Sequence, residues 1–363
     1  MDNHKKILNI KRYDLSNDRS LRPHSAADEL LLHQFNAIVD KPNQIAIYND
    51  RFGFLSCYLN TYKPAIITTS KSQEKSISKN YSANQLPIAS YVNPLGLIDQ
   101  KIDFALIKVP KSIALFELFL LQILNNSSDN VTVIIAFMTR HFSPKLLTVS
   151  QKYFEIVKQS KAVKKARVAT LTKKREVAKP EIIDRIRYND KNYQQYLGVF
   201  SAKHIDYATQ YFLDHIELSP SDNQILDLAS GNGIIGNEIL LKLPTAKLHL
   251  LDDSFLAVES AKLNVQGKSV YHYYDNDLSC FGDETFDLIV TNPPFHFEYE
   301  ININIPIELF KDCHSCLKVG GNLQIVSSNH LNYQTHLKTI FPIVRVVSQN
   351  EKFTIYKCEK VYS

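Results

Sequence analysis

The chain alternates two kinds of apolar pattern. Short unbroken runs at residues 44–50 (QIAIYND), 64–70 (PAIITTS), 103–110 (DFALIKVP) and 131–138 (VTVIIAFM) have the length of strands buried on both faces. Between them, residues 25–35 (SAADELLLHQF, with Ser25 as the expected N-cap), 52–59 (FGFLSCYL) and 111–124 (KSIALFELFLLQIL) space apolar residues three and four apart, as helices do. The rhythm returns after residue 204. Strands are expected at 224–230 (QILDLAS), 247–253 (KLHLLDD), 270–277 (VYHYYDND), 286–292 (FDLIVTN), 322–329 (NLQIVSSN) and 352–360 (KFTIYKCEK). Helices are expected at 204–216, from the glycine loop to 243, at 254–267, at 307–321 where two glycines end the run, and up to about residue 341. Strand–helix alternation of this kind predicts a parallel sheet covered by helices on both faces. Two halves with one rhythm predict an α/β protein of two tandem doubly wound, Rossmann-like domains. A charge-rich stretch of low hydrophobicity, residues 158–195, holds the expected boundary near residue 185, which divides the chain into 1–185 and 186–363.

Composition adds little to this picture, and charge adds more. The 363 residues are 44% hydrophobic, enough for two separate cores. The longest apolar stretch, residues 113–124, is interrupted by Glu117 and Gln122 and is too short for a bilayer. No apolar export segment opens the sequence, so the expected compartment is the cytoplasm. Five cysteines suit reduced thiols. Cys313 and Cys316 make a C-x-x-C without a second pair, so no metal site is expected. The formal charge of +5 is uneven: residues 151–191 carry thirteen Lys and Arg against five acids, net +8. Such a band is either a solvated face or a footprint for phosphates.

The candidate chemistry lies in the second half. In ILDLASGNGIIG, Asp227 ends a strand, and Gly231, Gly233 and Gly236 form G-x-G-x-x-G before a helix. Alone this pattern is weak and fits a dinucleotide equally well. Asp252, at the next strand end, can accept both hydroxyls of an adenosine ribose, and Asn276, after the third strand, can read an adenine edge. Each could be only a polar residue closing a strand; the three tips together line one edge of a sheet, where ligands of such folds bind. Asp227 would repel a pyrophosphate but suits the ammonium of a methionine moiety. The set therefore points to S-adenosyl-L-methionine.

The fourth strand of this half ends in Asn292-Pro293-Pro294-Phe295. An amine on a nucleobase or amide is a poor nucleophile because its lone pair is delocalised. The Asn292 side-chain oxygen and the Pro293 carbonyl can each accept one amine proton, which returns electron density to nitrogen. Prolines keep the acceptors rigid. Phe295 can stack on a base, a contact worth about 1–3 kcal/mol. The alternative is a strand end merely broken by prolines; with the cofactor pattern upstream in the expected order, the functional reading outweighs it.

The segments AADELLL, NDRFGFLSC, LIKVPKSIALFE and KKARV in the first half, and GVFSAKHIDYATQYFLDHI, DLASGNGIIG, LDDSFLAVESAKLN, TNPPFH and LKVGGNLQIVSSNHLNY in the second, match a known pattern nearly end to end. The chain resembles the two-domain ribosomal RNA guanine-N2 methyltransferases, more nearly the branch acting on 23S rRNA than its small-subunit relative. The resemblance implies two methyltransferase-type domains, the N-terminal copy degenerate and helping to hold RNA. It implies S-adenosylmethionine on Asp227, Gly231, Gly233, Asp252 and Asn276, with Phe200 and Ser201 packed near it, and guanine on Asn292, Pro293 and Phe295. It also implies a preference for deproteinised 23S rRNA. No interface signature stands out in the sequence, so a monomer is expected, without metal or membrane. One departure stands out: Ala229 occupies a position where the family carries glycine. A protein-glutamine or DNA-adenine methyltransferase, and an RNA-binding protein that has lost catalysis, remain as alternatives.

Overall fold

The structure is a computed structural model that describes residues 8–13, 21–38, 42, 44–178, 180–201, 203–293, 296–297, 300–301 and 303–362. The chain divides into two units, Met1–Pro180 and Glu181–Ser363.

In the first unit, the strands are β1 (Ile45–Tyr48), β2 (Ala65–Ile67), β3 (Tyr91–Val92), β4 (Ile102–Lys108), β5 (Ser127–Met138), β6 (Phe154–Gln159) and β7 (Ala166–Lys174). They form one sheet in the order β3-β2-β1-β4-β5-β7-β6, parallel except at β7, which runs antiparallel to β5 and β6. Helices α1 (Ala26–Ile38), α2 (Phe54–Tyr58), α3 (Lys71–Ala83), α4 (Ile113–Asn126) and α5 (Pro144–Tyr153) belong to the same unit. Every residue of β1 is buried, as a central parallel strand requires.

The second unit opens with an antiparallel hairpin, β8 (Ile183–Tyr188) and β9 (Lys191–Tyr196). Its sheet is built from β10 (Gln224–Leu228), β11 (Lys247–Asp252), β12 (Val270–Tyr274) and β13 (Phe286–Thr291). A two-stranded pair, β14 (His296–Phe297) and β15 (Glu300–Ile301), follows, and then the sheet strands β16 (Leu317–Ser328), β17 (Ile343–Gln349) and β18 (Phe353–Glu359). The helices are α6 (Tyr207–His215), α7 (Ile234–Lys242), α8 (Phe255–Asn264), α9 (Asn304–Cys316) and α10 (Tyr333–Ile340). The strand order is β12-β11-β10-β13-β16-β18-β17, the same permutation as in the first unit. Successive strand residues face opposite cores. Ile225, Leu288 and Val290 pack in one cluster with α6, α7 and α8 residues; Leu226, Ile289 and Phe286 pack in another with α9 and α10 residues. The ligand crevice of such a sheet opens where β10 is flanked by β11 on one side and β13 on the other, at their carboxyl ends.

Two features differ from the reading of the sequence alone. The run at 307–321 does not stay helical to its glycines. Leu317 is already extended and pairs with Phe286, and the next paired residue is Asn322, opposite Leu288. Gly320 (φ 79°) and Gly321 lie in the bulge between, and a Cβ on Gly321 would sit 2.8 Å from the Lys318 carbonyl oxygen. The unit boundary, between Pro180 and Glu181, falls inside the charged stretch but five residues before the expected point. The whole β8–β9 hairpin, including residue 185, lies in the second unit. There Tyr196 N–H donates to Ser260 Oγ (3.0 Å), Gln194 N–H to Asn264 Oδ1 (2.8 Å), and Tyr193 OH to Glu238 (2.6 Å). Cys313 and Cys316 are buried on α9 beside Cys358, and burial raises the thiols of Cys316 to about 11 and Cys358 to about 12. Among the described residues no His, Cys, Asp and Glu cluster could hold a metal, and no helix is long and apolar enough to cross a membrane.

Candidate active site

The glycine loop between β10 and α7 is shaped from both sides. Gly231 (φ 57°) and Gly233 (φ 82°) are both left-handed, for different surroundings. A Cβ on Gly231 would meet open space, whereas one on Gly233, the N-cap of α7, would lie 2.7 Å from Val265. Gly231 therefore leaves room above the loop, and Gly233 lets α7 pack on α8. Ala229 has φ 58°, so alanine here is held in a region that favours glycine.

Asp227 lies beneath this loop and is 0% exposed. Its Oδ2 accepts the Gly236 N–H at 2.9 Å. Burial pushes its carboxyl up to about 7, the Gly236 N–H opposing this and the charge of Asp252 adding to it. Asp252 ends β11 half-buried, its Oδ2 accepting the Gly231 N–H (2.9 Å) and its Oδ1 the Ser254 N–H (2.8 Å). Burial raises it to about 6 despite those two bonds. Asn276 lies just beyond β12, with Oδ1 buried and unbonded. Asp227 Oδ1, Ser230 Oγ and Asn276 Oδ1 are all buried without a hydrogen-bond partner among the described residues. Orphaned acceptors gathered at one sheet edge are what a ligand rich in N–H and O–H donors would satisfy, so these residues fit S-adenosylmethionine.

Asn292 follows β13 directly, and Pro293 after it is buried. The Asn292 Nδ2 donates to Asp206 Oδ2 (3.0 Å) and to Thr209 Oγ1 (2.9 Å). Asp206 is the N-cap of α6, and the same Oδ2 accepts the Ala208 and Thr209 N–H groups. The helix thus starts at Tyr207, later than its apolar spacing suggested. Phe295 lies outside the described residues. Phe200 is 75% exposed on the loop after β9, and its carbonyl, with that of Val199, accepts from Gln195 Nε2. Gln195 is buried, and its Oε1 accepts from Asn232 of the glycine loop at 3.0 Å. Gln195 thereby ties the Phe200 segment to the cofactor loop.

Asp206, Thr209, Gln195 and Asn232 were not singled out by sequence. Asp206 carried a signal, as an aspartate ahead of an amphipathic helix; Gln195 carried none. The first unit differs at the equivalent strand positions. Tyr48 pairs with Ile67 and Ile107 as Leu228 pairs with Leu251 and Thr291, which sets Ile47 in the place of Asp227 and Thr68 in that of Asp252. The N-terminal copy is degenerate in this sense.

Comparison with known proteins settles the family. Residues 1–175 match the RLMG N-terminal domain, and residues 192–357 match the methyltransferase small domain. The chain is 30% identical to the ribosomal RNA large subunit methyltransferase G of Psychromonas ingrahamii, over 98% of this chain and 97% of that protein. The chain belongs to the ribosomal RNA large subunit methyltransferase G family. The protein of that name from Photobacterium profundum is also 30% identical, over 98% of each chain. Among solved structures, the T. thermophilus 16S rRNA N2 G1207 methyltransferase RsmC, in complex with AdoMet and guanosine, superposes with a TM-score of 0.75 at 20% identity, covering 93% of this chain and 92% of its own. Membership in the methyltransferase G family makes this protein a methyltransferase whose cofactor is S-adenosyl-L-methionine.

Proposed function

We propose that the protein methylates the exocyclic N2 amine of one guanine in 23S rRNA. The observation that carries this reading is the Asn292 amide, whose nitrogen is engaged by Asp206 and Thr209 and whose oxygen is left to accept. It stands next to the strand that leads into the cofactor loop. S-adenosylmethionine supplies an electrophilic methyl group. The protein's own part is to orient the amine and raise the electron density on its nitrogen: Asn292 Oδ1 and the Pro293 carbonyl would each accept a hydrogen bond from it, one N–H proton would pass to solvent as the N–C bond forms, and Phe295 would stack on the base. Asn276 Oδ1 would accept from adenine, Asp252 would take the ribose hydroxyls, Asp227 would offset the cationic charge, and Gly231 would leave room for the cofactor to approach. Phe200 would pack near the cofactor. The relatives named large subunit methyltransferase G support the 23S assignment.

A paired guanine spends its N2 amine on cytosine, so the target base must be unpaired and turned out to reach Asn292. That favours deproteinised rRNA as substrate, and a cytoplasmic monomer suffices for it. The first unit supplies affinity. In it, Val163 and Ala166 exchange two hydrogen bonds across a two-residue turn whose Lys164 (φ 48°) and Lys165 (φ 61°) are both left-handed. That turn favours Asn-Gly, so two lysines at its tip cost backbone energy while presenting charge. Lys161, Lys165 and Arg167 are exposed and make no ion pair among the described residues; Lys164 faces Glu29 at 3.3 Å.

The test is nucleoside mass spectrometry of 23S rRNA from cells with and without the gene. Loss of N2-methylguanosine at one site is expected. An unchanged content would end the proposal.

A further inference from the structure

We infer that Asp206 and Thr209 are positioning residues that decide which end of the Asn292 amide meets the substrate. The inference rests on the acceptor role proposed above for Asn292. A primary amide presents two ends of nearly equal size, and rotation about its last torsion is soft. Turned one way, Asn292 offers an oxygen to the guanine amine. Turned the other way, it offers N–H to N–H, and the amine is repelled. The side chain alone does not choose.

The structure chooses through charge. A carboxylate can only accept, so the Asn292 atom 3.0 Å from Asp206 Oδ2 is the nitrogen. The Asp206 oxygen is itself held by the N–H groups of Ala208 (3.1 Å) and Thr209 (3.2 Å), so it cannot swing aside without uncapping α6. Thr209 Oγ1, on a buried side chain, takes the second Nδ2 hydrogen at 2.9 Å. Both amide hydrogens are then spent behind the site, and Oδ1 is what remains in front. A flipped amide would press its oxygen against an anionic oxygen. The negative charge behind the amide also draws its electrons toward Oδ1, making it a stronger acceptor.

The first unit shows what is specific here. Lys108 follows Ile107 as Asn292 follows Thr291, and it too is tied to the start of a helix, its Nζ 2.8 Å from Asp28 of α1. A tie from the fourth strand to this helix belongs to the shared fold. At these equivalent points the second unit carries an amide oriented by an anion, and the first an amine.

The decisive variant is Asp206→Asn, which keeps a capping oxygen but brings an amide that can meet Asn292 in either sense. With an rRNA fragment, kcat is expected to fall on the order of 10–100-fold, with KM for RNA and Kd for S-adenosylmethionine within about twofold and the melting temperature nearly unchanged. Thr209→Val should lower kcat several-fold, and Thr209→Ser should restore it. A kcat of Asp206→Asn within about twofold of wild type overturns the inference, as does a fall in kcat matched by lost cofactor affinity or stability. Side-chain amide NMR of the protein without RNA reads the orientation independently of activity. The Asn292 NH2 pair should be shifted and slow to exchange in the wild type and move toward free amide values in Asp206→Asn; identical signals in both overturn it. Absence of N2-methylguanosine from wild-type reactions would remove the guanine reading, while the amide signals would still judge the positioning.

Discussion

Asp252 holds Gly231: its carboxylate accepts the Gly231 N–H at 2.9 Å, so the acid proposed to receive a ribose also fixes the glycine loop. This double duty has a pH signature. Asp252 and Asp227 titrate in the folded protein at about 6 and about 7, against an ordinary 3.8, with burial the first cause for each. The folded state therefore holds these protons more tightly than the unfolded chain. The stability they contribute is full below about pH 4 and is lost as pH rises through the two folded values. The melting temperature without cofactor is expected to fall between about pH 5 and 8. Cofactor binding favours the ionised carboxylates, so affinity should rise over the same range with release of protons. Calorimetry in buffers of different ionisation enthalpy reads this directly, and a pH-independent heat would contradict it.

Asn292→Ala and Lys108→Ala probe equivalent points of the two sheets. The first is expected to lower kcat on the order of 10²–10³-fold and leave cofactor binding within about twofold. The second leaves the buried Asp28 carboxylate without its amine and should destabilise the first unit by about 1–3 kcal/mol, with turnover per folded molecule retained. Methyl-transfer assays and thermal melts on both variants separate the two effects.

Ala229→Gly is expected to stabilise the protein. With φ at 58°, alanine carries left-handed strain that glycine would relieve, a net gain of about 0.5–1 kcal/mol after glycine's greater loss of chain entropy. For a unit of this size that is a rise of roughly 1–4 °C in melting temperature. The variant should bind S-adenosylmethionine at least as tightly. A lower melting temperature would show that the alanine methyl makes contacts worth more than the strain.

Reversing the charges of Lys161, Lys164, Lys165 and Arg167 together should weaken RNA binding and flatten its salt dependence. Each phosphate left unneutralised reduces the slope of log K against log salt by roughly 0.7–0.9. An unaltered slope in filter-binding titrations would make this hairpin tip a plain solvated surface.

The sheets, their helices and the cofactor loop were legible in the sequence because their signals are local. A run of apolar residues buried on both faces, or glycines at fixed spacing before a helix, carries its meaning within about ten residues. Where one local signal serves two structures, reading failed: Gly320 and Gly321 look like a helix end and instead make a bulge, because β16 must pair with β13 at once. The polar hairpins β6–β7 and β8–β9 and the half-exposed edge strand β17 lack a clear apolar run, so pairing partners alone order them. Sequence by itself determined that an asparagine, two prolines and a phenylalanine close a buried strand. Only the tertiary structure decided which way the asparagine faces, because the groups that orient it, Asp206 and Thr209, lie 86 and 83 positions earlier. A hydrogen bond across such a separation leaves no trace in either segment; it exists only once the parallel sheet has brought the end of β13 against the start of α6.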